Sequence, residues 1–193
     1  MIAIIDYSAG NIRSVENALE RLGADYVLTS DEKILRQASH VILPGVGAAS
    51  SAMENLRKRG LDSVIPTLTQ PVLGICIGMQ LLCRHSEEGD CGCLGIFNTD
   101  VKKLRVPLPV PHTGWDTISH LRGPLYDGIS EDTFIYYVHS FAAEICEQTT
   151  AETTYCTTFA ASLRNENFFG VQFHPEKSGD AGAKILQNFL QKI

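Results

Sequence analysis

The sequence predicts an α/β protein: a mostly parallel central sheet flanked by helices, with antiparallel strands added in the second half. Three observations carry that prediction. Short continuous apolar runs, Ile2 to Ile5, Val41 to Leu43 and Val72 to Ile75, mark strands covered on both faces. Amphipathic stretches alternate with these runs through the first half. Beyond Gly89 the alternation gives way to strand-like segments and a proline-studded connector. The chain has 193 residues, 44% of them hydrophobic, enough for one domain over 1–193 with a sizeable core.

Taken in order, Ile2 to Ile5 is a strand, followed by the turn Tyr7-Ser8-Ala9-Gly10 and a helix. That helix sets Ile12, Val15, Leu19 and Leu22 on one face and stops at Gly23. Tyr26 to Leu28 reads as a second strand, Asp31 to Ala38 as a short helix and Val41 to Leu43 as a third strand, ending on Pro44-Gly45-Val46-Gly47. A helix over Ala49 to Arg59 is stopped by Gly60, and Asp62 is placed to cap another short helix. Val72 to Ile75 is the next buried strand. Val106 to Pro111 is a connector without room for a helix. Thr133 to Val138, Phe141 to Cys146, Thr153 to Ala161 and Phe168 to Phe173 read as hairpins and mixed strands. Ala181 to Ile193 closes the chain as an amphipathic helix, with Ile185, Leu186, Phe189 and Leu190 on one side.

The formal net charge is -6, and acidic and basic residues are interspersed. No basic face stands out, which argues against nucleic acid or an anionic membrane as a partner. No run approaches the ~20 apolar residues of a membrane span. The opening MIAIIDYSAGN has neither a basic leader nor a long apolar core, so a cytoplasmic protein is expected. Six cysteines in such a setting are expected to be reduced. Cys83, His85, Cys91 and Cys93 bunch together, but their spacing departs from the C-x2-4-C pairs of structural zinc sites. No metal and no cofactor are expected; the group reads as a helix end followed by a glycine-rich surface loop.

Chemistry concentrates at the ends of predicted strands, where ligands sit in parallel sheets. Gly74-Ile75-Cys76-Ile77-Gly78 has the layout of a nucleophile elbow, a strand turning sharply into a helix. The turn would put Cys76 at a helix N-terminus, where exposed N–H groups favour a thiolate. Alone, the string serves equally well as a small buried hydrophobe between packing glycines. Gly170-Val171-Gln172-Phe173-His174-Pro175-Glu176 offers a base and its orienting carboxylate, since residues two apart in an extended chain point the same way. Pro44-Gly45-Val46-Gly47 would let Val46 N–H join Ile77 N–H as oxyanion donors, or be an ordinary strand-to-helix turn.

Together G-I-C-I-G-M-Q-L-L, P-G-V-G and F-H-P-E-K-S resemble the class I, triad-type glutamine amidotransferases. D-Y-x-x-G-N at Asp6 to Asn11, P-H-x-G-W at Pro111 to Trp115, V-H-S-F at Val138 to Phe141 and the stretch Ser86 to Phe97 narrow it. Over its whole length the chain is similar to the glutaminase subunits of imidazole glycerol phosphate synthase. The resemblance implies a flavodoxin-like class I amidotransferase fold. It also implies hydrolysis of L-glutamine to glutamate and ammonia through a γ-glutamyl thioester on Cys76. His174 would act as base and then acid, oriented by Glu176. Gly45, Gly47, Gln80, Glu88, His139, Ser140 and Phe141 would line the glutamine site.

It further implies a heterodimer with a (β/α)8-barrel synthase subunit, which would use the ammonia to make imidazole glycerol phosphate and an aminoimidazole carboxamide ribotide in histidine biosynthesis. Asn11, Trp115 and Lys177 fall in motifs resembling the docking surface. Individually they could be a loop asparagine, a core indole and a solvated lysine. In this family the P-G-V-G turn is expected to complete the oxyanion hole only with the partner engaged. Ser8 and Ala9 stand where the family often has glycine, and Phe141 where a tyrosine is common. A vitamin B6 synthase glutaminase would keep Cys76, His174 and Glu176 without P-H-x-G-W. The residues also suit a free-standing γ-glutamyl hydrolase. A catalytically dead binding subunit is disfavoured by the intact Cys, His and Glu.

Overall fold

The computed structural model describes residues 1–8 and 12–193. Its first half alternates β1 (Ile2–Ile5), α1 (Arg13–Arg21), β2 (Tyr26–Thr29), α2 (Glu32–Gln37), β3 (His40–Leu43), α3 (Ala49–Lys58), α4 (Leu61–Val64), β4 (Val72–Ile75) and α5 (Ile77–Leu82). Strands dominate the second half: β5 (His85–Ser86), β6 (Cys91–Gly92), β7 (Asp100–Lys103), β8 (His112–Ile118), β9 (Thr133–His139), β10 (Phe141–Ala143), β11 (Thr149–Tyr155), β12 (Thr157–Asn165) and β13 (Phe168–Val171). The last helix is α6 (Gly179–Lys192).

The central sheet has the order β11-β12-β13-β4-β3-β1-β2. From β13 to β2 neighbouring strands run parallel, and β12 and β11 complete the sheet antiparallel. β1, β4 and β13 are buried at every residue, which is why they read as unbroken apolar runs. Local signals start and stop the helices. Asp31 accepts hydrogen bonds from the Lys33 and Ile34 N–H groups to cap α2, and Gly23, with φ +66°, ends the α1 region. A second sheet, β10-β7-β5-β6, and the hairpin β8-β9 stand apart from the main sheet.

The feature that matters for chemistry is the neighbourhood of β4. It lies between β3 and β13, all three parallel, with Leu43 level with Gly74 and Val171 level with Ile75. Their carboxyl ends therefore share one edge. Pro44–Gly47, Cys76 and Gln172–His174 are each the first residues beyond those ends.

Four details depart from the sequence reading. Thr153 to Ala161 is not one strand; it joins the end of β11 to the start of β12 through a turn at Cys156, with φ +57°. No Gly, Asn or Pro marks that turn, so the threonine-rich run hides it. A strand that the sequence reading does not name, β8, carries His112 to Trp115 of P-H-x-G-W and pairs with β9 in register His112 to His139. His85 and Cys91 belong to the two-residue pairing of β5 with β6 rather than to a helix end and a loop. Asp62 sits inside the first turn of α4, and Gly60 occupies the cap position.

Candidate active site

Cys76 is the residue between β4 and α5, and it holds φ +53° and ψ −111°. A non-glycine residue in that region costs about 1–3 kcal/mol and persists only where its surroundings enforce it. Enforcement is visible on both sides. The Cys76 N–H donates to the Val171 carbonyl at 2.8 Å, and the Gln80 N–H closes the first turn of α5 on the Cys76 carbonyl at 3.1 Å. The tightness of the elbow explains Gly78, where an added Cβ would overlap the backbone carbonyl of Leu43 at the end of β3.

His174 lies at the end of the β13 segment, its N–H bonded to the Tyr136 carbonyl at 2.9 Å. Ser178 braces it: the hydroxyl donates to the His174 carbonyl at 2.7 Å and accepts from the Tyr136 N–H at 2.9 Å. The carboxylate can only accept, so the His174 Nδ1–H donates to Glu176 Oε1 at 2.8 Å, leaving Nε2 for Cys76. Burial opposes a charge on His174, but hydrogen bonds and charges of Cys76 and Glu176 outweigh it and push the imidazole up to about 10. The Cys76 and Glu176 contacts thus favour the protonated form of His174.

A cavity of about 340 Å³ opens in front of Cys76 and His174, and Gly45, Val46, Gly47, Ile77, Gln80, Glu88, His139, Ser140, Phe141 and Lys177 also line it. Glu176 stands behind the histidine, outside that lining. Several of these residues also hold the frame. Glu88 Oε2 accepts from the Ala49 N–H at 2.9 Å and so caps α3 just after the Pro44–Gly47 turn. Gln80 is buried rather than an exposed helix residue, and its Nε2 donates to the Phe141 carbonyl and to Gln172 Oε1, each at 2.9 Å. His139 donates from Nδ1 to the same Phe141 carbonyl at 2.9 Å; burial holds its pKa down to about 3, so it stays neutral.

Trp115 is no core indole. It is 55% exposed on β8 and packs edge to face on Tyr136, whose ring also lies 6.0 Å from Lys177 Nζ. Trp115 and Lys177 therefore share the face that runs along β9 towards the cavity. Asn11 lies outside the described residues. Among the described residues no group of three or more His, Cys, Asp or Glu side chains is placed to hold a metal ion, and no helix is long and apolar enough to cross a membrane.

Three residues of the site are not among the candidates named from the sequence. The Tyr7 hydroxyl donates to the Pro44 carbonyl and anchors the Pro44–Gly47 turn; burial and then the charge of Cys76 raise its pKa, keeping it a neutral donor. His112 contacts His139 at 3.2 Å. Gln172 places Nε2 3.6 Å from Cys76 Sγ. Each belongs to a recognisable motif: the tyrosine of D-Y, the histidine of P-H-x-G-W and the glutamine two before His174. Spacing alone gives no reason to aim them at the site.

As chemistry, the arrangement offers a sulfur at a strained elbow, a protonated imidazole backed by a carboxylate, and the start of a helix facing a glycine-containing turn. These are the parts of acyl transfer through a covalent intermediate. Comparison with known proteins gives the family. The model of the class-I glutamine amidotransferase family matches residues 3–193. The chain is 53% identical to the imidazole glycerol phosphate synthase subunit HisH of Bacteroides fragilis strain YCH46 over 193 residues, covering 98% of each. It is 52% identical to the protein of the same name from Bacteroides thetaiotaomicron, again over 98% of each. A crystal structure of a glutamine amidotransferase superposes with a TM-score of 0.77, covering 99% of this chain and 98% of that one; at 16% identity it speaks for the fold alone. The chain belongs to the class I glutamine amidotransferase family, among the HisH subunits.

Proposed function

We propose that this protein is the glutaminase subunit of an imidazole glycerol phosphate synthase, with Cys76 as nucleophile, His174 as proton carrier and Glu176 as its orienting group. The reading rests on one observation: Cys76 and the His174–Glu176 pair stand at the ends of adjacent parallel strands, with Cys76 and His174 facing one cavity.

In this mechanism the Cys76 proton resides on His174, and the sulfur attacks the side-chain carboxamide carbon of glutamine. Val46 and Ile77 N–H groups receive the developing oxyanion. His174 then protonates the departing nitrogen, the C–N bond breaks, and ammonia leaves behind a γ-glutamyl thioester. Water attacks the thioester, His174 takes its proton, and glutamate and the free sulfur are released. Gln80, Glu88, His139, Ser140 and Phe141, with Gly45 and Gly47, shape the substrate site.

Ammonia released into bulk water is lost to protonation, so the product needs a sealed path to a synthase. The partner assigned to that role is a (β/α)8-barrel subunit docking on the face of Trp115 and Lys177. The decisive experiment is glutamine hydrolysis measured with and without that subunit and its nucleotide ligand. Low activity alone and a sharp rise in the complex are expected; full activity of the isolated chain would favour a free-standing γ-glutamyl hydrolase. Cys76→Ala is expected to abolish glutamate production while leaving the fold and partner binding intact, and an unchanged rate would sink the mechanism.

A further inference from the structure

Two buried amides stand behind Cys76, and their orientation is dictated from one end. The Phe141 carbonyl can only accept, so the group that Gln80 turns towards it must be its NH2, at 2.9 Å. The same NH2 lies 2.9 Å from one end of the Gln172 amide, which must therefore be the oxygen. The NH2 of Gln172 is left pointing at Cys76 Sγ, 3.6 Å away. Reversing either amide would set oxygen against oxygen or NH2 against NH2. The donor at the sulfur is thus fixed by a backbone carbonyl two residues removed through hydrogen bonds.

Register puts Gln172 there. Val171 is level with Ile75, so the next residues, Gln172 and Cys76, stand just beyond the ends of adjacent parallel strands. The Gln172 N–H is held by the Ala161 carbonyl at 2.8 Å, and its side chain is fully buried. An aliphatic residue would fill that space without the cost of burying an amide.

We propose that Gln172 is a further catalytic residue, whose amide N–H donates to the sulfur of Cys76 and favours its anionic form. A thiolate accepts a hydrogen bond more strongly than a thiol, so the donor biases the proton away from sulfur. His174 approaches the same sulfur from its own strand end, and the two donors divide the task. Gln172 fixes a neutral dipole, while His174 moves the proton. The inference rests on reading Cys76 as the nucleophile.

The test is the pH dependence of iodoacetamide alkylation of the full-length chain, followed at the Cys76 peptide by mass spectrometry so that the other cysteines do not intrude. Gln172→Met keeps the volume and removes the donor. The alkylation midpoint is expected to rise by about one pH unit, a tenfold loss of thiolate well below the midpoint. Gln172→Glu, which sets a negative charge beside the sulfur, is expected to raise it further. Gln80→Met leaves Gln172 in place but removes what aims it, and is expected to shift the midpoint in the same direction by less; it serves if the Gln172 variants fail to fold. A purely structural role would lower the melting temperature and leave the midpoint where it was, and that result in folded variants overturns the proposal. Retained glutaminase activity in Cys76→Ala would instead overturn the underlying mechanism, so the two failures are distinguishable.

Discussion

Glu176 Oε1 lies 2.8 Å from His174 Nδ1, and both side chains are only 4% exposed. The second carboxylate oxygen, Oε2, is buried without a hydrogen-bond partner among the described residues. The carboxylate is therefore committed to the imidazole, on the side away from the sulfur. This pairing keeps a proton on His174 Nδ1 and holds the ring in one orientation, so that protons are exchanged at Nε2.

Glu176→Gln keeps the shape and removes the charge. The turnover of glutamine is expected to fall about 10²–10⁴-fold, by analogy with losses when an orienting carboxylate is neutralised. The imidazole should titrate below the value of about 10 that it holds in the intact pair. Steady-state kinetics and an NMR titration of the His174 ring protons check the two halves, and an unmoved titration would remove Glu176 from its role.

Two buried histidines shape the pH dependence of stability with opposite signs. His174 is raised from 6.5 to about 10, so the native state binds more protons across that window. Its contribution is complete below pH 6.5 and is lost as pH rises through about 10. His139 is lowered from 6.5 to about 3, chiefly by burial, so the unfolded state binds more protons there. Its contribution is present above pH 6.5 and is lost as pH falls through about 3. Denaturant midpoints measured from about pH 3 to about pH 10 should weaken towards both ends. His174→Ala should flatten the alkaline limb and His139→Asn the acid limb; limbs unchanged by either variant would contradict this assignment.

Gly78→Ala drives a methyl group into the Leu43 carbonyl, a contact between backbone atoms that cannot relax by a side-chain rotation. A loss of about 1–3 kcal/mol is expected from such overpacking. For a chain of this size the melting temperature should drop by about 2–4 °C per kcal/mol. Because the clash lies between the elbow and the Pro44–Gly47 turn, glutaminase activity should fall more than stability does. A calorimetric melt and an assay on the same sample compare them.

Trp115 and Phe134 are 55% and 60% exposed on the β8-β9 hairpin, an unusual position for two large aromatic rings. If the proposed synthase subunit docks on this face, Trp115→Ala is expected to weaken the association by about 2 kcal/mol or more, as loss of an aromatic anchor buried at an interface does. Titration calorimetry reads the affinity directly. An unchanged dissociation constant would place the docking face elsewhere.

Much of the site was legible in the sequence because its residues follow buried strands. Apolar runs announce β3, β4 and β13, and the residues just past each run are the ones the sheet brings together. Glu176 was legible from the two-residue period of an extended chain. Gln80 was named only through the family resemblance, because helical spacing does not reveal that its amide nitrogen is claimed by both Phe141 and Gln172. The hairpin break at Cys156 and the short β5-β6 pairing were also hidden. The break at Cys156 has no residue whose backbone preferences demand a turn, and although Gly89, with φ +78°, marks the turn between β5 and β6, two-residue strands carry no period. Trp115 could be placed inside or outside only once the pairing of β8 with β9 fixed which face it occupies.

The position of β13 in the order of the sheet has a consequence for the assembly of the site. β13 comes long after β4 along the chain, yet it inserts between β4 and β12 in the interior of the sheet. Until it does, Cys76 lacks the Val171 carbonyl that holds its backbone, the histidine that takes its proton and the amide at its sulfur. Under the proposed mechanism, catalytic competence is therefore a report on the insertion of β13 into the sheet.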